Sequence, residues 1–149
     1  MKTRISMMIL GLLALGQQAL AQPTYQDTIR KVFDEKCSAC HGANAAPEYL
    51  GFKQEKDKWL AKGQGMRMDS YSLLISHVGW PETGSLMRRL DDGTNSKDKK
   101  PGNMYQHLGT NEAERKANLS VFKEWVGNWT LKRWNEITKE ELNGIKVKY

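Results

Sequence analysis

The run Cys37-Ser38-Ala39-Cys40-His41 dictates most of what this 149-residue chain can become. Its two cysteines lie one helical turn apart, and a histidine follows at once. That spacing is the attachment signature of c-type haem. Each thiol can add to one of the haem's two vinyl groups, giving two thioethers. His41 then sits under the ring and can ligate iron through an imidazole nitrogen. Competing readings of CxxC need residues that the chain lacks. A thioredoxin-like redox pair belongs near a βαβ pattern, and none follows. A zinc site needs a second ligand pair; Cys37 and Cys40 are the chain's only cysteines, and no HxxxH completes them. One motif implies one covalently bound haem c.

The N-terminus fixes the expected compartment. Lys2 and Arg4 form a positive start, Met7 to Leu15 is apolar, and Ala19-Leu20-Ala21 is an A-x-A cleavage site. The apolar run is shorter than the about 20 residues that a membrane span needs. Residues 1–21 therefore read as a cleaved export signal, with no permanent membrane anchor. Export agrees with the haem motif, because covalent attachment takes place after export. The mature chain is expected to begin at Gln22 and to hold 149 less 21, or 128, residues, enough for one core. Its formal charge is +6 less the leader's two cations, or +4. This mild basic excess points to acidic protein surfaces. No basic helix or aromatic-basic motif points to nucleic acid.

Helical patterns follow the leader. Thr24 reads as an N-cap, with Asp27 near the positive end of the dipole. Tyr25, Ile29, Val32 and Phe33 share one helical face, and that helix runs into the CxxCH. Residues 42–51 are small and turn-rich and read as loop. A short helix is predicted around Lys56–Ala61. Ser70 opens another helix, with Tyr71, Leu74, Ile75 and Val78 inward, which Gly79-Trp80-Pro81 breaks. Leu86, Met87 and Leu90 mark the inner side of the next, with Arg88 and Arg89 at its edge. Residues 91–103 form a charged loop punctuated by Gly and Pro. Asn111 and Glu114 resemble a capping box before a helix that buries Val121, Phe122, Trp125, Val126 and Trp129. Thr138 and Glu141 suggest a further cap. No alternating strand run occurs, so the expected class is all-α.

The order of these features is similar to that of class I cytochromes c. In that family an N-terminal helix ends in CxxCH and crosses a C-terminal helix, and small central helices close the haem pocket. The likeness covers roughly residues 24–129, with Phe33 and Trp125-Val126-Gly127 at the crossing. It implies a small helical cytochrome c domain over residues 22–129. Residues 130–149 are a C-terminal extension on which the family is silent. The family also implies a proline carbonyl as partner to the far nitrogen of His41, and Pro47 matches.

The second axial ligand decides the chemistry, because a methionine fills the site whereas an open site admits oxygen or peroxide. Met87 lies on an apolar helical face and reads as core. Met66 and Met68 lie beside Gly63 and Gly65 and could serve from a flexible loop. Met104, in Pro101-Gly102-Asn103-Met104-Tyr105, resembles the class I ligand loop in position and setting. The resemblance thus implies His41 and Met104 as axial ligands, with Met68 the leading substitute. His77 or His107 would instead give bis-His ligation. Arg67, Arg88, Arg89, Trp59 and Trp80 are candidates to bind the haem propionates.

The expected function is that of an exported, periplasmic, monohaem electron carrier in a respiratory or chemolithotrophic chain, not an enzyme. Its partners would be periplasmic or membrane-associated redox proteins, steered by Lys97, Lys99 and Lys100, and the carrier itself a monomer or weak dimer. The alternative is the haem-bearing subunit of a periplasmic oxidoreductase complex, with the extension binding a partner subunit.

Overall fold

Thr24 starts the fold as its composition predicts: its hydroxyl accepts the Asp27 N–H at 3.1 Å. The computed structural model describes residues 21–44 and 46–149. The export signal, but for Ala21, lies outside the described residues. Among these, every named element is helical, and one isolated antiparallel bridge joins Gly127 to Ile145. No helix here is long and apolar enough to cross a membrane.

The first helix opens as a π-helical turn, Tyr25–Ile29, and continues as α1, Arg30–Lys36. The chain then passes through α2 (Ser38–His41), α3 (Tyr49–Gln54), α4 (Lys56–Ala61), α5 (Tyr71–Ile75) and α6 (Ser85–Leu90). A 3-10 turn, Tyr105–Leu108, precedes the longest helix, α7 (Glu112–Val126), and α8 (Lys139–Asn143) lies in the tail. Two boundaries differ from the sequence reading. The supposed loop 42–51 already turns helical at Tyr49, where Phe52 is α3's one buried side chain and leaves little periodic signal. The helix opened by Ser70 ends at Ile75, before Val78, although both Leu74 and Val78 are buried.

The core lies where the first helix meets α7. Tyr25, Ile29 and Phe33 from one side join Leu119, Phe122, Trp125 and Val126 from the other, with Leu74, Val78, Leu86, Met87 and Leu90 filling in. Burying one such side chain contributes about 1.5–3 kcal/mol. Residues 130–149 extend this core. Lys148 O accepts the Trp125 indole N–H at 2.7 Å and the Tyr25 backbone N–H at 2.8 Å. Val147 O accepts the Tyr71 hydroxyl at 2.6 Å, and the Tyr149 ring stacks on Tyr25, centroids 6.0 Å apart. Gly127 makes the return possible: its φ is +77°, and a Cβ there would come within 2.8 Å of Gly144 O. Thr138 and Glu141 form the complete capping box that their spacing predicts.

An ion pair pins α1 to α7 beside the haem motif. Asn111 caps α7 by accepting the Glu114 N–H at 3.0 Å. The Glu114 carboxylate does not close the box on Asn111. It takes the Thr110 N–H at 2.7 Å and is held directly by the Lys36 ammonium. Lys36 and the Thr110 donors hold the Glu114 carboxyl down at about 2, against an ordinary 4.5. A depressed carboxyl stabilises the fold above its unfolded pKa, and that stability fades as pH falls through the folded value. Glu114→Gln is therefore expected to lower the urea midpoint by a constant amount above pH 4.5, with the gap closing as pH falls towards 2. Urea titrations of both proteins across that range check this; a gap independent of pH would contradict it.

Candidate haem site

The CxxCH forms a tight turn at the end of the first helix. α1 breaks at Cys37 (φ −120°, ψ −29°), and α2 restarts at Ser38. The Cys40 and His41 N–H groups both donate to Cys37 O, at 3.1 and 2.9 Å. The two thiols consequently face differently. Cys37 packs against the core, and burial pushes its thiol up to about 11, whereas Cys40 is exposed. Neither is in a disulfide.

His41 is held by the segment that follows α4. Its Nδ1 lies 2.7 Å from Met66 O. A carbonyl only accepts, so the hydrogen sits on Nδ1 and the Nε2 lone pair is left for a metal. Gly65 lies flat against the ring: a Cβ there would stand 2.2 Å from His41 Cε1. Two backbone bonds lace the same strap to the motif, Gly65 N to Cys40 O at 3.1 Å and Met68 N to His41 O at 2.9 Å. The expectation for Pro47 needs correction. Its carbonyl accepts the Arg67 N–H at 2.8 Å, and Met66 partners His41 instead. The signal that could have found this is Gly65, which reads as flexible but serves close approach.

The candidates for the second ligand separate by position. Met87 is fully buried, and its sulfur accepts the Thr130 N–H at 3.3 Å, so it belongs to the core as expected. His107 is exposed. His77 is buried with Nδ1 3.1 Å from Ser85 Oγ, and burial holds its imidazole below the usual value. Met68 and Met104 both sit half-buried against the core. Met68 lies on the strap that already holds His41, whereas Met104 lies on a separate loop. Its Gly102 and Met104 N–H groups donate to Asp91 O and Arg89 O at 2.8 and 3.0 Å, occupying carbonyls that α6 leaves free at its end.

Of the propionate candidates, three arginines are engaged elsewhere. Arg67 pairs with Asp69 at 2.6 Å, and Arg89 donates to Asn103 Oδ1 at 2.9 Å. Arg88 donates to Thr83 O at 3.0 Å and Leu131 O at 2.9 Å, fastening the tail to α6. Trp80 is exposed. Trp59 differs: its indole N–H is buried without a partner, as is Gln64 Oε1. Both line an open concavity of about 350 Å³ with Lys62, Pro47, Ala43 and Asn44, just past the CxxCH. A buried, unpaired donor beside a lysine suits a carboxylate. The residues present therefore fit haem: two thiols, a free imidazole nitrogen and unused donors for its acidic edge.

The family profile described as PccH Cytochrome c matches residues 24–149. The solved structure of the monoheme cytochrome PccH from Geobacter sulfurreducens is 66% identical, over 85% of this chain and 98% of that chain, with a TM-score of 0.79. No curated protein matches. The fold and site define a helical, monohaem, electron-carrying c-type cytochrome with one covalently bound haem c. The chain belongs to the PccH cytochrome c family, and the match includes the tail that follows Trp129.

Gly65→Ala tests the seat of His41. The added methyl must push the ring off its place, so the ferric protein is expected to lose part of its low-spin spectrum. Gly51→Ala, whose Cβ would meet Pro47 at an ordinary 3.5 Å, should match wild type. An unchanged spectrum in Gly65→Ala would mean that His41 does not ligate from this position.

Proposed function

We propose that this cytochrome is a periplasmic carrier of single electrons whose haem is bonded to Cys37 and Cys40 and whose iron is ligated by His41 and Met104. The observation that carries the reading is the His41–Met66 hydrogen bond, which leaves Nε2 free on the CxxCH turn. Bound haem supplies a one-electron iron couple. The chain's residues fix its surroundings. Met66 O orients His41 and raises its basicity. The Gly102–Met104 loop presents an unbranched thioether, which favours Fe(II) and raises the potential. Trp59 and Lys62 offer donors to the propionates. His41 Nε2 and the Met104 thioether, each held by a fixed frame, would hold haem iron in one arrangement in both oxidation states.

Export rests on the leader, with its Lys2, Arg4 and Ala19-Leu20-Ala21. Docking to acidic redox proteins rests on the +4 balance and on the loop before Met104, where Lys97, Lys99 and Lys100 are exposed. That loop is ordered internally: Lys99 Nζ donates to Thr94 O at 3.0 Å, and Asp98 accepts the Lys100 N–H at 3.2 Å. A subunit role would have the tail bind a partner; the contacts of the Val147 and Lys148 carbonyls with Tyr25, Tyr71 and Trp125 of the same chain favour a self-contained carrier.

Met104→Ala is expected to abolish the weak long-wavelength sulfur-to-iron band, lower the potential and open ferrous iron to carbon monoxide. Met68→Ala should do much less. Loss of the band in Met68→Ala and its survival in Met104→Ala would reverse the assignment. For docking, electron exchange with an acidic partner should slow between 0.01 M and 0.1 M salt, as the Debye length falls from roughly 30 Å to about 10 Å. Charge reversal at Lys97, Lys99 and Lys100 should flatten that dependence while leaving the potential nearly unchanged. A triple variant as fast as wild type at low salt would place docking elsewhere.

A further inference from the structure

Asp91 stands at the end of α6, 1% exposed, with every contact of its carboxylate made to an N–H donor. Oδ1 accepts the backbone N–H groups of Gly93 at 2.9 Å and Asn95 at 3.2 Å. Oδ2 accepts the Asn95 side-chain amide at 2.9 Å and the Trp129 indole at 3.0 Å. Its backbone carbonyl accepts Gly102 N–H at 2.8 Å, two residues before Met104. One residue thus closes both ends of the 91–104 loop and ties it to Trp129 beyond α7. The loop has little room to shift. A Cβ on Gly102 would stand 2.3 Å from the carbonyl oxygens of Arg88 and Arg89, and one on Gly93, at φ +93°, 2.8 Å from Lys99 O.

We propose that Asp91 is a positioning residue for the sixth iron ligand: it holds the loop that presents Met104 in one geometry and so keeps the thioether on iron against small external ligands. The proposal rests on the reading of Met104 as that ligand. The carboxylate is specific to the task. Asparagine has the same shape, but its NH₂ would face two N–H donors whichever way it turned. A loop that loses this clamp spends more time with Met104 off iron, and an external ligand's apparent affinity rises with that open fraction.

The test titrates ferric holoprotein with imidazole and follows the sulfur-to-iron band in wild type, Asp91→Asn, Trp129→Phe, Tyr149→Ala and Met104→Ala. Asp91→Asn should bind imidazole about tenfold more tightly, the scale of one lost hydrogen bond to a charged group. Trp129→Phe removes a single donor and should shift the same way by a few-fold; it carries the test if Asp91→Asn fails to fold. Tyr149→Ala loosens the tail alone and should bind imidazole as wild type does. Wild-type affinity in the Asp91 and Trp129 variants, or an equal gain in Tyr149→Ala, would overturn the proposal. If Met104→Ala keeps the band, the ligand assignment itself is wrong and the proposal falls with it. If Met104→Ala loses the band while the other variants behave as wild type, only the positioning role fails.

Discussion

The hydrogen bond from His41 Nδ1 to Met66 O organises the site from the proximal side. It settles the tautomer, so the nitrogen left bare is the one that can meet iron. It also joins two stretches of chain 25 residues apart, the end of the first helix and the strap 65–68. Gly65 is the condition for that bond. Any side chain there would occupy the space of the imidazole, and the strap could not come close enough for Met66 to accept.

The loop proposed to supply the second ligand is built on a different principle. A loop is normally the mobile part of a small protein, yet a ligand loop must hold its ligand still. Here α6 ends with free carbonyls, and the loop that returns past it donates Gly102 and Met104 N–H groups to them. The same bonds satisfy the helix end and fix the loop that carries Met104. Arg88 and the tail brace α6 from behind, through Thr83 O and Leu131 O. The Lys36–Glu114 pair holds the helix crossing closed next to Cys37, so the CxxCH turn and the proposed ligand loop are anchored to one core.

Much of this was legible in the sequence because it rests on local rules. CxxCH, the Thr24 and Ser70 caps, the Thr138–Glu141 box and the apolar stripes of the first helix and α7 are all set within a few residues. What escaped depends on contacts between distant residues. Nothing near Pro47 says that its carbonyl will meet Arg67 and leave His41 to Met66. Asp91 reads as one more charge in a polar loop, since its four donors come from positions as far apart as Gly93 and Trp129. Arg88 likewise reads as an edge cation, although its guanidinium is engaged by backbone carbonyls. Residues 130–149 set Leu131, Ile145 and Val147 against the core, but they are also held through backbone carbonyls at Val147 and Lys148, which no composition reveals.

If one haem is bonded to this chain through both cysteines of the turn that carries His41, that bond survives denaturation. Mass spectrometry of the denatured, desalted holoprotein tests it most directly, with fragmentation of the peptide that spans Cys37 to His41. The expected result is the mass of the chain plus one haem, with the haem retained on that peptide and linked to both Cys37 and Cys40. The bare mass of the chain, or a haem linked through one cysteine with the other thiol free, would contradict it.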